Sequence, residues 1–167
     1  MSRRILVAGV GNIFLSDDGF GVAVASRMAK QQLPPSVTVS DFGIRGVHLA
    51  FELLDGYDGL VLVDAVAMGE PPGTLTLLDA GDGSWSGLGH DGALIDAHTM
   101  SPDVVFATLD RIGGNLETTY VLGCQPACLD EGIGLSPPVE AAVGTAINMC
   151  EQLLTDMLQP AGKGTSR

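Results

Sequence analysis

With 167 residues, 46% hydrophobic and 17% charged, the chain is long enough to bury a real core and too apolar to remain disordered. A net charge of −12 repels phosphate backbones and anionic lipid, so neither nucleic acid nor a membrane surface is an expected partner. The three cysteines, Cys124, Cys128 and Cys150, form no disulfide framework and no C-x-x-C, so reduced thiols in a cytoplasm are expected.

The chain opens on Arg3-Arg4 and a short apolar run that ends in Gly11-Asn12. No small-residue cleavage site follows, so a signal peptide is not expected, and no stretch reaches the roughly 18 apolar residues of a membrane span. Arg4 to Gly9 reads as a buried strand, because a β-branched apolar run without alternation suits a strand covered on both faces. Asp17 to about Lys30 reads as a helix, with Phe20, Val24 and Met28 spaced by four and Ser16 as its cap. A second strand is expected over Val37 to Asp41, after Pro34-Pro35, and a short helix over Val47 to Leu54. Gly59 to Asp64 is the clearest buried strand, and Thr74 to Leu78 is a fourth.

Ala80 to Ala97, rich in Gly, Asp and Ser, reads as a long loop. Ser101-Pro102-Asp103 has the pattern of a helix start, with Val105, Leu109 and Ile112 as the buried face. Thr118 to Gly123 is the fifth strand. Ser136-Pro137 opens the last helix in the same way, with an apolar stripe of Val143, Ile147, Cys150, Leu154 and Met157. Residues 161–167 read as a disordered tail beyond one domain spanning 1–160. Alternating strands and helices predict an α/β fold: three layers, with a mostly parallel, five-stranded twisted sheet between helices on both faces.

In such sheets the ligand crevice lies at the carboxyl ends of the strands. Asp17 and Asp18 follow the first strand, Asp64 ends the third, and His98 closes the long loop just before a helix. Two carboxylates and an imidazole make a three-ligand set for a divalent metal with open positions. Taken singly, each has a plainer explanation. Asp17 in particular is expected to serve the positive end of the helix, Asp64 suits a strand-end turn, and a lone histidine is more often a polar surface residue.

A dinucleotide site is the main rival, with Gly9-Val-Gly11 after the first strand and Asp41 after the second. The G-x-G-x-x-G pattern fails because Phe14 stands where its third glycine belongs, and two aspartates crowd the turn that would hold a pyrophosphate. Neither a G-x-S-x-G elbow nor an H-E-x-x-H motif occurs. His48 and Glu52 are spaced to share a helix face as partly solvated residues. Cys124 or Cys128 as a nucleophile has nothing to favour it over an inert buried thiol.

Several blocks in order resemble one family. The stretch from Gly9 to Gly21, Gly-Val-Gly-Asn-Ile-Phe-Leu-Ser-Asp-Asp-Gly-Phe-Gly, looks like the opening signature of the hydrogenase maturation endopeptidases. Leu62-Val-Asp-Ala65 resembles their second block, His98 sits where their histidine sits, and Gly123-Cys-Gln-Pro126 with the Gly134 to Val143 segment resembles their last. The likeness runs from about Arg4 to about Leu158.

It implies an endopeptidase that removes a carboxyl-terminal extension from the precursor of the large subunit of a nickel–iron hydrogenase, after nickel insertion. It also implies Asp18, Asp64 and His98 as metal ligands, with nickel supplied by the precursor and zinc or another divalent ion taking its place in vitro. Many relatives carry Glu where Asp18 stands, which shortens the reach here by one methylene. Gly43-Ile44 departs from their Gly-Thr and receives no role. No catalytic residue is assigned, and Asp18 is named only as a residue that could serve as base. The alternatives are a non-catalytic nickel-binding or delivery protein, and a less specific metal-dependent peptidase. A monomer is expected, since no apolar stripe is left over for self-association.

Overall fold

The computed structural model describes residues 3–44, 46–81 and 116–159. Five strands, β1 (Ile5–Val10), β2 (Val37–Gly43), β3 (Gly59–Ala65), β4 (Leu75–Gly81) and β5 (Thr118–Cys124), form one sheet in the order β2-β1-β3-β5-β4. The β1/β2, β1/β3 and β3/β5 pairs are parallel, whereas β4 runs antiparallel to β5 at the edge. Three helices of the described residues are α1 (Phe20–Met28), α2 (Gly46–Leu53) and α3 (Pro137–Met157). The expected mostly parallel, five-stranded α/β sheet is therefore present, with helices on both faces.

The alternation of side chains along each strand sorts the core into two layers. Ile5, Val7, Val61, Val63 and Leu122 face α1 and α3, where Phe20, Val24, Met28, Val143, Ile147 and Cys150 meet them. Leu6, Ala8, Val10, Leu60, Leu62 and Val121 face the other way, against Leu49 and Leu53 of α2. Every residue of β1, and β3 up to Asp64, is buried, which is why both read as unbroken apolar runs. The predicted stripes on α1 and α3 are the buried ones.

Local differences from the sequence reading have physical causes. Asp17 does not begin an α-helix: Ser16–Gly19 forms a 3-10 turn, and α1 starts only at Phe20. Ser16 makes no cap, because its backbone is left-handed at φ 54° and its hydroxyl donates to the Asp130 carbonyl at 2.7 Å. Ser136 stands at the N-cap of α3, yet its hydroxyl is also drawn away, toward Asp17. β4 takes in Ala80 and Gly81, which the sequence reading assigned to the loop. The remainder of that loop, His98, the helix expected after Ser101 and the 161–167 tail lie outside the described residues.

Among the described residues, no helix is long and apolar enough to cross a membrane.

Candidate metal centre

The turn after β1 brings Asp18 back over the strand it left. Gly11, at φ 134°, adopts a backbone that L side chains avoid, and a Cβ there would overlap the carbonyl oxygen of Asp18. The chain can thus fold tightly enough for the Asn12 N–H to donate to Asp18 Oδ2 at 2.7 Å. The Gly11 N–H donates to the Gly43 carbonyl at 2.9 Å, which closes the end of β2 against the same turn. These amides serve protein acceptors instead of a pyrophosphate, which removes the dinucleotide reading together with its failed motif.

Close packing supports the turn from below. A Cβ on Gly21 would overlap the Val63 carbonyl oxygen, so the first turn of α1 lies almost directly on β3. Asp64 follows Val63 in that strand and is only 2% exposed. Its Oδ1 accepts the Ala65 N–H at 2.8 Å.

Asp18 and Asp64 are therefore brought together at the carboxyl edge of the sheet. Burial raises the Asp64 carboxyl well above the usual carboxylate range, the negative Asp18 raises it further, and the Ala65 N–H offsets only part. Burial raises Asp18 as well, against the opposing Asn12 N–H. Among the described residues neither carboxylate is paired with a lysine or arginine. A buried carboxylate pair without a cation is unfavourable, and hard oxygen donors of this kind suit a divalent ion. Among the described residues no group of three His, Cys, Asp or Glu comes together, so Asp18 and Asp64 stand as a candidate pair of oxygen donors.

Asp17, the neighbour of Asp18, does different work. It is fully buried. Its Oδ2 accepts the N–H groups of Ala127 and Cys128 at 2.8 and 3.0 Å and the Ser136 hydroxyl at 2.8 Å; its Oδ1 accepts the Ser136 N–H at 2.7 Å. Burial would raise its pKa, but these donors together hold it below the usual value. The expected role at a helix end is thus replaced by a larger one: Asp17 ties the loop between β5 and α3 to the turn that carries Asp18. Its four acceptor bonds leave it no vacancy as a ligand. Nothing in the local sequence marks this, since the partners lie more than 100 residues away.

Burial, with the Asp17 carboxylate nearby, pushes the Cys124 thiol up to about 11, so at neutral pH it is an unreactive thiol and not a nucleophile. A hollow of about 500 Å³ opens between β2 and α2, lined by Asp41, Phe42, His48, Phe51 and Glu52 among others, and neither Asp18 nor Asp64 lines it. Glu52 accepts the Tyr57 hydroxyl at 2.9 Å and His48 is exposed, in keeping with partly solvated helix residues.

Residues 22–153 match the family model described as hydrogenase maturation protease, a span that holds Asp64 and His98 and starts beyond Asp18. The hydrogenase expression/formation protein HupD of Bradyrhizobium diazoefficiens is 33% identical over 157 residues, covering 92% of this chain and 79% of that protein. The hydrogenase 2 maturation protease of Escherichia coli is 33% identical over 153 residues, covering 90% of this chain and 88% of its own length. In three dimensions the chain is similar to the hydrogenase maturating endopeptidase HybD from E. coli, with a TM-score of 0.76 and 27% identity over 92% of this chain and 93% of that one. Sequence blocks, sheet topology and family match agree, and this protein belongs to the hydrogenase maturation protease family and is a peptidase.

Proposed function

We propose that this protein removes the carboxyl-terminal extension from the large-subunit precursor of a nickel–iron hydrogenase, in the cytoplasm and after nickel insertion. In this reading Asp18, Asp64 and His98 engage the nickel that the precursor carries. The observation that supports it best is the pairing of Asp18 with the buried Asp64. Two carboxylates held together, with no lysine or arginine paired to them among the described residues, form a site that is unfavourable until a cation arrives. A cation delivered by the substrate makes docking conditional on metal insertion.

Each residue then has a role. Asp64, fixed by β3 and by its bond from Ala65, supplies a rigid ligand. Asp18, partly exposed, supplies the accessible one, and the Asn12 N–H orients it. His98 completes the set. Held by Asp18, Asp64 and His98, the precursor's nickel would supply Lewis-acid chemistry, toward the scissile carbonyl or toward an attacking water. In this reading Asp18, at the accessible edge of the site, would also be the carboxylate nearest to hand as a base for that water. The names of the relatives, a hydrogenase 2 maturation protease among them, support the class of substrate.

The test is to incubate the purified protein with nickel-loaded and nickel-free precursor and follow the precursor's mass. Loss of a carboxyl-terminal fragment from the loaded form alone, abolished by Asp18→Ala or His98→Ala, is the expected result. An intact loaded precursor with tightly bound metal on the protein itself would favour a nickel-delivery protein. Cleavage of unrelated peptides would favour a broad metal-dependent peptidase.

A further inference from the structure

The loops that follow β1 and β5 rise over the end of β3, because those strands flank β3 in the sheet. They carry Ile13 and Phe14, and Leu129 and Ile133, all exposed, Phe14 by 61% and Ile133 by 78%. The two loops are tied together. The Ser16 N–H donates to the Gly132 carbonyl at 2.8 Å and the Gly132 N–H to the Phe14 carbonyl at 2.9 Å, making an isolated bridge between Leu15 and Gly132.

Ser16 holds its left-handed φ of 54° in this junction, a conformation that persists in a non-glycine residue only where its surroundings impose it. Ile13 lies against Gly19, in the same turn as Asp18. Four large apolar side chains are thus presented to solvent on an over-determined backbone. They add nothing to the core, and a patch of this kind marks a contact surface.

We infer that Ile13, Phe14, Leu129 and Ile133 form an apolar grip for the precursor, taking an apolar segment flanked by lysine or arginine and seating it beside Asp18 and Asp64. The inference rests on the proposed function, which makes the hydrogenase precursor the occupant. Continuity is one reason: Ile13 and Phe14 share the turn of Asp18 and are bridged to the loop that carries Leu129 and Ile133, so a chain whose metal reaches Asp18 comes close to them. Charge is the other. Asp130 and Glu131 are exposed between Leu129 and Ile133, on a chain of net charge −12. They attract a basic flank, and they repel a second copy of this chain.

The experiment measures association of the intact, nickel-loaded precursor with the full-length protein by interferometry, with processing followed by mass in parallel. Phe14→Ser combined with Ile133→Ser is expected to weaken binding about tenfold or more and to raise KM by as much, with kcat kept at saturating precursor. Asp130→Lys with Glu131→Lys is expected to slow association and flatten its dependence on salt. Leu77→Ser, at an exposed leucine on the edge strand β4, is expected to bind as the parent does, and thermal melts establish that each variant is folded.

Parental affinity in the Phe14/Ile133 double variant overturns the grip, whether or not the precursor is cut. A parent protein that binds through these residues but does not cut leaves the grip standing and overturns the proposed activity. A parent protein that does not bind the precursor overturns both.

Discussion

Replacing Asp17 is the sharpest test of how the site is held. Asp17→Ala leaves the N–H groups of Ala127, Cys128 and Ser136 and the Ser136 hydroxyl without their acceptor. A hydrogen bond to a charged group contributes about 1.5–3 kcal/mol net, so four taken at face value reach about 6 kcal/mol or more. The burial of the carboxylate opposes that sum, and breaking a buried charged network by removing one partner typically costs about 3–5 kcal/mol. A loss of about 3–5 kcal/mol is therefore expected, equivalent to a fall in Tm of about 10 °C for a chain of this size.

Asp17→Asn is milder, at about 2 kcal/mol, because an amide oxygen in the place of Oδ2 keeps three of the four bonds while its NH2 opposes the Ser136 N–H. Urea unfolding followed by circular dichroism gives the loss as a shift in midpoint at constant slope. Amide exchange is expected to speed up at Ala127, Cys128 and Ser136 before it does in β1 or β3.

The sign with pH follows from the lowered pKa. The stability that Asp17 contributes is present above its unfolded value, near 3.8, and is lost as pH falls through the still lower folded value. A loss below about 1 kcal/mol in Asp17→Ala, or one that does not shrink on acidification, would refute the account of Asp17 as the tie between the two loops.

Asp64→Asn should do the opposite. Its folded pKa is raised, so the native carboxyl costs stability above that pKa and nothing below the unfolded value of 3.8. The variant is expected to be about 1–2 kcal/mol more stable than the parent at neutral pH, the gap closing below about pH 4, while precursor processing is lost; equal stabilities at neutral pH would contradict the assignment. Gly21→Ala is expected to cost more than about 3 kcal/mol or prevent folding, because its methyl meets the Val63 backbone and not a movable side chain; a parental Tm would show that α1 can lift off β3. Cys124→Ala is expected to process the precursor at near the parental kcat, with a modest loss of stability of about 1 kcal/mol from the core; a fall in kcat of a hundredfold would reinstate the thiol as a participant.

The central strands and the long helices were legible in the sequence because their periodicity is a local record of their surroundings. β1 and β3 read as unbroken apolar runs since both their faces are covered, and the four-residue spacing of Phe20, Val24 and Met28 is the spacing of a buried helix face. The rule that ligands gather at strand carboxyl ends was enough to single out Asp18 and Asp64, but it could not tell Asp18 from Asp17, which stand side by side at the same strand end.

The family resemblance pointed to Asp18, and the tertiary structure supplies a physical reason for the difference. Long-range amides from the β5–α3 loop claim Asp17, and Asp18 remains to face Asp64. The same kind of remote partner drew Ser16 and Ser136 away from capping and delayed the start of α1 to Phe20. The antiparallel placement of β4 was likewise beyond the sequence pattern, because strand direction depends on which neighbour a strand pairs with and not on its own alternation. Side-chain periodicity is decided within a few residues and survives in the sequence, whereas the partner of a buried carboxylate is decided by a contact across more than 100 residues and exists only once the chain has folded.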